Sequence, residues 1–159
     1  MHAVHPFEPV WNGQSRVLIL GTFPSVRSRE VGFYYGHPQN RFWRVLEALY
    51  GEPVPPDTDG RRAYVLSHGL ALWDVLAACD IDKSSDASIR SPVANDVPAL
   101  LGQSGIERIL CNGQRAYALY RRHLEKACGL PARALPSTSA ANAAWSLASL
   151  REAWRAALL

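Results

Sequence analysis

Lysine is nearly absent from this chain: Lys83 and Lys126 are the only two among seventeen basic residues, so positive charge is carried by Arg. The planar guanidinium offers several donors and suits phosphate oxygens. A coding bias toward Arg and Ala gives the same composition, and the two readings stand level. Formal net charge is only +3. No apolar run reaches bilayer length, and the opening MHAVH lacks the basic-then-apolar pattern of a secretory signal. The expectation is a cytoplasmic protein, nucleoid-associated if bacterial, with no membrane partner. Cysteine is scarce too. Cys79, Cys111 and Cys128 are odd in number and widely spaced, which makes neither a disulfide framework nor a CxxC metal site. A four-cysteine iron–sulfur centre is excluded by count. They read as reduced thiols, Cys111 in a strand and the others near helix ends.

What is present is enough for a core. The 159 residues are 48% hydrophobic and 19% charged, which fits one domain over 1–159 and not a disordered chain. RVLILG (16–21) and IERILCNG (106–113) are short apolar runs of the kind buried on both faces of a sheet. LALWD (70–74) and ARALP (132–136) are short enough for strands. Helical spacing covers 40–50, with Asn40 as a candidate N-cap and Gly51 beyond the end. It recurs at 60–68, at 113–128 before GLP, and at 142–158, where Trp145, Leu150 and Trp154 would be buried. The alternation predicts a parallel sheet covered on both faces by helices. No repeat, linker or second core follows.

In such a sheet, ligands bind where the strands end. The loops there are GTFPS (21–25), then GFYYGHPQNRFW (32–43), then Asp74, then Asn112 and Gly113, then PSTSAAN (136–142). All should open on one crevice. Five aromatic rings beside a Gly-His-Pro turn are ordinary core or a stacking platform. Phe42 and Trp43, at helical spacing, read as core, and Tyr34 and Tyr35 as pocket.

GTFPS, YYGHPQNRFW, LWDVL and LPSTSAANA, in this order and spacing from about His5 to Trp145, resemble the uracil-DNA glycosylase superfamily, in particular its hypoxanthine-DNA (deoxyinosine) glycosylase branch. The resemblance implies a three-layer α/β/α fold with a central four-stranded parallel sheet. It also implies damaged DNA, duplex or single-stranded, as partner, and hydrolysis of the bond between a damaged base and its deoxyribose, with no metal or cofactor. Where uracil-specific members carry a polar residue in the first motif this chain has Phe23, and where they carry a His in the last it has Leu135. Their uracil-reading Asn corresponds to Asp74. The segment DKSSDASI (82–89), with Asp86, follows the family pattern but carries no assigned chemistry.

The resemblance makes Asn40 the catalytic residue. Its carbonyl would hold the attacking water and face the oxocarbenium-like sugar, positioning rather than deprotonating, since an amide does not titrate near neutrality. The cap role competes with this or coexists with it. Gly21, Thr22, Phe23, Tyr34, Tyr35 and Asp74 form the base-binding set. The flipped base, costly to unstack, would be repaid by a tyrosine face. Asp74 as an acceptor would read the N1–H of hypoxanthine, or else it caps a helix starting at Val75. Pro136, Ser137, Thr138, Ser139, Asn142, Arg27 and Arg41 are candidate DNA contacts, with Arg29 and His37 near the mouth. No Lys in these loops is suited to a Schiff base. A monofunctional, monomeric glycosylase of deoxyinosine, with uracil and xanthine as secondary lesions, is therefore expected. A free-nucleoside hydrolase and a non-catalytic nucleic-acid binder remain as rivals.

Overall fold

Val17–Gly21 is a strand buried along its whole length, and its side chains alternate between two apolar layers as a period of two requires. Leu18 and Leu20 enter one cluster, with Ala71, Ile109, Cys111, Ala116, Leu119 and Tyr120. Val17 and Ile19 enter the other, with Leu70, Leu72, Leu110, Phe42, Leu46, Val65, Leu150 and Trp154. The structure is a computed structural model that describes residues 2–80 and 90–159. Residues 82–89, Asp86 among them, lie outside the described residues.

In chain order the elements are β1 (His2–Val4), β2 (Val17–Gly21), α1 (Val26–Val31), α2 (Phe42–Tyr50), α3 (Thr58–Ser67), β3 (Leu70–Asp74), β4 (Leu76–Asp80), β5 (Arg90–Ala94), α4 (Val97–Gln103), β6 (Arg108–Asn112), α5 (Gln114–His123), α6 (Glu125–Cys128), β7 (Ala132–Leu135) and α7 (Leu147–Leu158). The main sheet has the order β3-β2-β6-β7, all parallel. Helices α2, α3 and α7 supply one layer of core, and α4 and α5 the other. This is the three-layer α/β/α arrangement with four parallel strands that the sequence predicts.

Several expectations need correction. Residues 74 to 76 do not start a helix: Val75 N–H donates to the Gly21 carbonyl and Leu76 N–H to that of Thr22, so the backbone stays extended. It runs into β4, which pairs with β1 and β5 in a second, antiparallel sheet of three strands. Cys79 therefore lies in a strand, not at a helix end. Helix α2 begins at Phe42, with Arg41 and not Asn40 at the N-cap position. The helix foreseen over 113–128 is broken where Leu124 leaves helical dihedrals while its side chain stays buried in the core. The terminal helix begins at Leu147, capped by Ser146 and Ser149 in a reciprocal box, so Trp145 stands outside it and is 37% exposed.

Helix α7 joins core to loops. Trp154 is fully buried, and its indole N–H donates to the Pro136 carbonyl at 3.0 Å, fixing the chain just past β7. Trp154→Phe keeps an aromatic ring in the core but leaves that carbonyl unpaired. Chemical denaturation should show a loss of about 1–3 kcal/mol.

Candidate active site

The carboxyl ends of β2, β3, β6 and β7 open on a single cleft of about 830 Å³, lined among others by Gly21, Thr22, Phe23, Tyr34, Tyr35, Asn40, Asp74, Asn112, Pro136, Ser137, Thr138, Ser139, Asn142 and Trp145. Every candidate base-binding residue, Asn40 and the whole 136–139 run are thus brought together. Arg27 and Arg41 are not part of this wall.

At one end stands Asp74, the last residue of β3 and only 3% exposed. Its carbonyl accepts from the Asn95 side chain at 2.9 Å, and one carboxylate oxygen, Oδ2, accepts from His5 Nε2 at 2.8 Å. The other, Oδ1, lies against Gly21, where any Cβ would collide with it and would come within 3.2 Å of the Tyr35 hydroxyl. Glycine ends β2 because there is no room for a side chain.

The two tyrosines separate. Tyr34 is 2% exposed, its hydroxyl donates to the Glu8 carbonyl at 3.0 Å, and its ring meets His5, Phe7 and Phe33. Tyr35 adopts φ +52°, a left-handed conformation rare for a bulky residue. One ring face stacks on Phe42 at 4.1 Å, and the ring remains partly exposed to the cleft. Burial, and then the Asp74 charge, raises both phenols well above the ordinary range, so they stay neutral donors. The Tyr35 hydroxyl has no hydrogen-bond partner among the described residues. Asn112, which spends its Oδ1 and one Nδ2–H on Thr138, is near enough to temper the Tyr35 titration. Phe23 is half-buried, edge-on to His5 and under the Arg29 guanidinium.

At the other end Asn40 is held by a chain of hydrogen bonds. Phe42 N–H donates to Asn40 Oδ1 at 2.9 Å, as does Thr138 Oγ1–H at 2.8 Å. Thr138 Oγ1 accepts from Asn112 Nδ2, and Thr138 N–H donates to Asn112 Oδ1, both at 3.0 Å. Because a backbone N–H can only donate, it fixes which end of the Asn40 amide is oxygen. The expected carbonyl contact with water is therefore corrected. Both lone pairs of Oδ1 are taken, and the group without a partner among the described residues is Nδ2. The cap reading survives in altered form, since Asn40 satisfies Phe42 N–H from one residue outside the cap position.

Two DNA-contact expectations are also corrected. Thr138 is fully buried, with N–H and hydroxyl both committed, so neither grips a phosphate. Arg41 sends its guanidinium to the carbonyls of Ser139, Asn142 and Trp145, which makes it the internal brace of the 136–146 loop. Asn142 braces the same loop, donating to the Ser137 carbonyl. Ser137 and Ser139 accept only local backbone N–H groups, so both hydroxyl protons remain to be donated. Arg27 is exposed and pairs loosely with Glu30 at 3.4 Å, worth little in water. His37 accepts from Gln39 N–H, a local turn contact.

The sequence reading set Asn112 at the crevice without a role, and missed Trp145 and His5. Asn112 had a signal, its place at the end of a strand. Trp145 was hidden by an apolar spacing that extends the α7 pattern past its cap. His5 had none, lying 69 residues from its partner.

Residues 9–158 match the family model described as the Uracil DNA glycosylase superfamily. With that span, and with a cleft at the strand ends of a parallel sheet, the chain belongs to the uracil DNA glycosylase superfamily. Within it, a hypoxanthine DNA glycosylase of Methanosarcina acetivorans is 32% identical over 141 residues, 88% of this chain and 89% of that one. A hypoxanthine DNA glycosylase of Methanosarcina barkeri is 32% identical over 150 residues, 93% of each. The solution NMR structure of a candidate uracil DNA glycosylase from Methanosarcina acetivorans superposes with a TM-score of 0.81 at 28% identity, covering 98% of both chains.

The hydrogen-bonded chain of Asn112, buried Thr138 and Asn40 predicts an asymmetry between neighbours. Thr138→Val, isosteric but without the hydroxyl, should lower unfolding free energy by about 1–3 kcal/mol. Ser139→Ala should stay within about 0.5 kcal/mol of the parent. Urea titration of the two variants measures the difference.

Proposed function

We propose that this chain is a monofunctional DNA glycosylase that hydrolyses the N-glycosidic bond of deaminated bases in base excision repair, with deoxyinosine as its main substrate and uracil and xanthine as secondary ones. The observation that carries the reading is the convergence of Asn40, Tyr35 and Asp74 on one cleft. The names of the relatives at 32% identity support it.

A base must leave the stack before it can be cut from its sugar, at a cost of a few kcal/mol. Tyr35, backed by Phe42, returns about 1–3 kcal/mol by stacking on it. Asp74 accepts from the ring N–H beside the base carbonyl. As the glycosidic bond loosens, the sugar becomes an oxocarbenium ion so electrophilic that the water needs placing more than activating. Asn40, immobilised through Oδ1, places that water with its free Nδ2–H, which donates to one lone pair and leaves the other for the anomeric carbon. Ser137 and Ser139 donate to backbone phosphates from a loop stiffened by Pro136 and braced by Arg41.

The test is incubation with labelled duplexes containing inosine, uracil or xanthine, followed by alkali to cut abasic sites. The parent should release hypoxanthine, with binding that weakens steeply as salt rises. Asn40→Ala should bind the duplex yet cut release by about two orders of magnitude or more. Near-normal release by the folded variant removes Asn40 from the mechanism. Binding without release in the parent indicates a nucleic-acid binder, and saturation by free nucleosides without salt dependence a nucleoside hydrolase. Tyr35→Ala should reduce the preference for lesion over intact duplex by about 1–3 kcal/mol, measured by competition binding.

A further inference from the structure

We infer that His5 is a positioning residue for base selection: from the N-terminal segment it occupies one oxygen of Asp74 and leaves the other to read, as an acceptor, the ring N–H that deamination creates. The inference rests on the glycosylase reading above and adds to it a residue that the cleft wall does not contain.

The geometry assigns the proton. Phe7 N–H donates to His5 Nδ1 at 3.1 Å, so Nδ1 is the bare nitrogen and Nε2 carries the hydrogen. Nε2–H then donates to Asp74 Oδ2 at 2.8 Å, with both side chains almost wholly buried, 3% and 5% exposed. Donor and acceptor roles are therefore set by a backbone amide two residues away. The ring is held edge-on by Phe7 and Phe23 at 5.4 and 5.9 Å and flanked by Tyr34 at 5.8 Å. His5 is carried there by topology. Strand β1 pairs with β4, β4 follows β3 with only Val75 between them, and His5 N–H donates to the Ala77 carbonyl at 2.6 Å.

The chemical consequence concerns undamaged bases. Deamination turns adenine into hypoxanthine and cytosine into uracil, and in each case a ring nitrogen that accepted becomes an N–H that donates. An acceptor at Asp74 Oδ1 matches the lesion and opposes the parent base, whose lone pair would face it. With Nε2–H removed, Oδ2 is a buried acceptor without a partner. The carboxyl then swings away, and the acceptor that refused the parent bases is no longer held against them. Rejection by unpaired polar groups is the stronger form of selectivity.

The experiment compares full-length parent, His5→Leu and His5→Gln on duplexes carrying deoxyinosine or 2′-deoxynebularine, a purine without the N1–H and without O6. Single-turnover release of each base is read, with the dependence on enzyme concentration separating binding from the chemical step. In the parent, hypoxanthine should leave far faster than purine. His5→Leu should shrink that ratio at least tenfold, and His5→Gln, whose Nε2 can still donate to Asp74, should restore it to within about threefold. An unchanged ratio in folded His5→Leu overturns the inference while leaving the glycosylase reading intact. A parent that releases no deaminated base from any duplex overturns that reading, and this inference with it. Should His5→Leu fail to fold, imidazole ¹⁵N spectra of the parent decide. A protonated Nε2 with a bare Nδ1 sustains the assignment, and the opposite tautomer overturns it.

Discussion

One buried hydroxyl joins three separate parts of the chain at the reacting end of the cleft. Thr138 accepts from Asn112 at the tip of β6 and donates to Asn40 in the loop before α2, while its own N–H returns to Asn112. A hydroxyl has a single proton, and with Asn112 supplying a donor that proton can go only to Asn40. Its direction is thus fixed by hydrogen-bond arithmetic, and so is the orientation of the amide it meets. Partly satisfied buried networks are a liability and fully satisfied ones are rigid. Among the described residues, its oxygens and the Thr138 N–H and hydroxyl are all paired, and Asn40 Nδ2, on a residue that lines the cleft, is left without a partner. A group placed so firmly before substrate arrives has little reorganisation left to make when charge develops.

The loop after β7 depends on a similar arrangement. Its tip is built from Ala140, Ala141, Ala143 and Ala144, all exposed, which have almost no side chain with which to hold a shape. The Arg41 guanidinium supplies what the loop lacks, donating to carbonyls at Ser139, Asn142 and Trp145. Lysine has charge but no planar fork and could not span those acceptors. Arg41 thus follows Asn40 directly in sequence and braces the loop whose Thr138 holds the Asn40 amide. A motif that looks from sequence like one catalytic residue beside one phosphate contact is, in space, a catalytic candidate beside a brace.

The parallel sheet was legible because β2 and β6 are short β-branched or leucine-rich runs that end in Gly or Asn-Gly, and their loops fall where the strand-end rule expects a site. The aromatic core positions Phe42 and Trp43 were legible from helical spacing. What was not legible is pairing at a distance. The antiparallel sheet has a three-residue first strand, and β4 begins one residue after β3 ends, a spacing that reads equally well as a helix cap. The full burial of Thr138 could not be told from the partial exposure of Ser137 and Ser139, since PSTS has no periodicity to separate them. His5 lies next to Asp74 only because β1 returns across β4.

The departures from the superfamily's better-known motifs acquire a physical meaning in this geometry. Leu135 is 2% exposed and packs in the core, so the last motif offers no group to a departing base. Phe23 lies edge-on to His5 and offers none to a water. On the proposed reading, charge developing in the reaction meets neutral dipoles beside the Asp74 carboxylate. The Asn40 amide stands at one end, and toward Asp74 the Tyr35 phenol, kept protonated by burial and by the Asp74 charge, has no hydrogen-bond partner among the described residues. A neutral donor beside a reading carboxylate is a coherent pair for a purine edge. On the proposed reading the carboxylate accepts the ring N–H, and the phenol is left to donate to an oxygen or nitrogen acceptor close by. A charged electrophile in place of the phenol would form an ion pair with Asp74 and withdraw from the base the acceptor that tells a lesion from its parent.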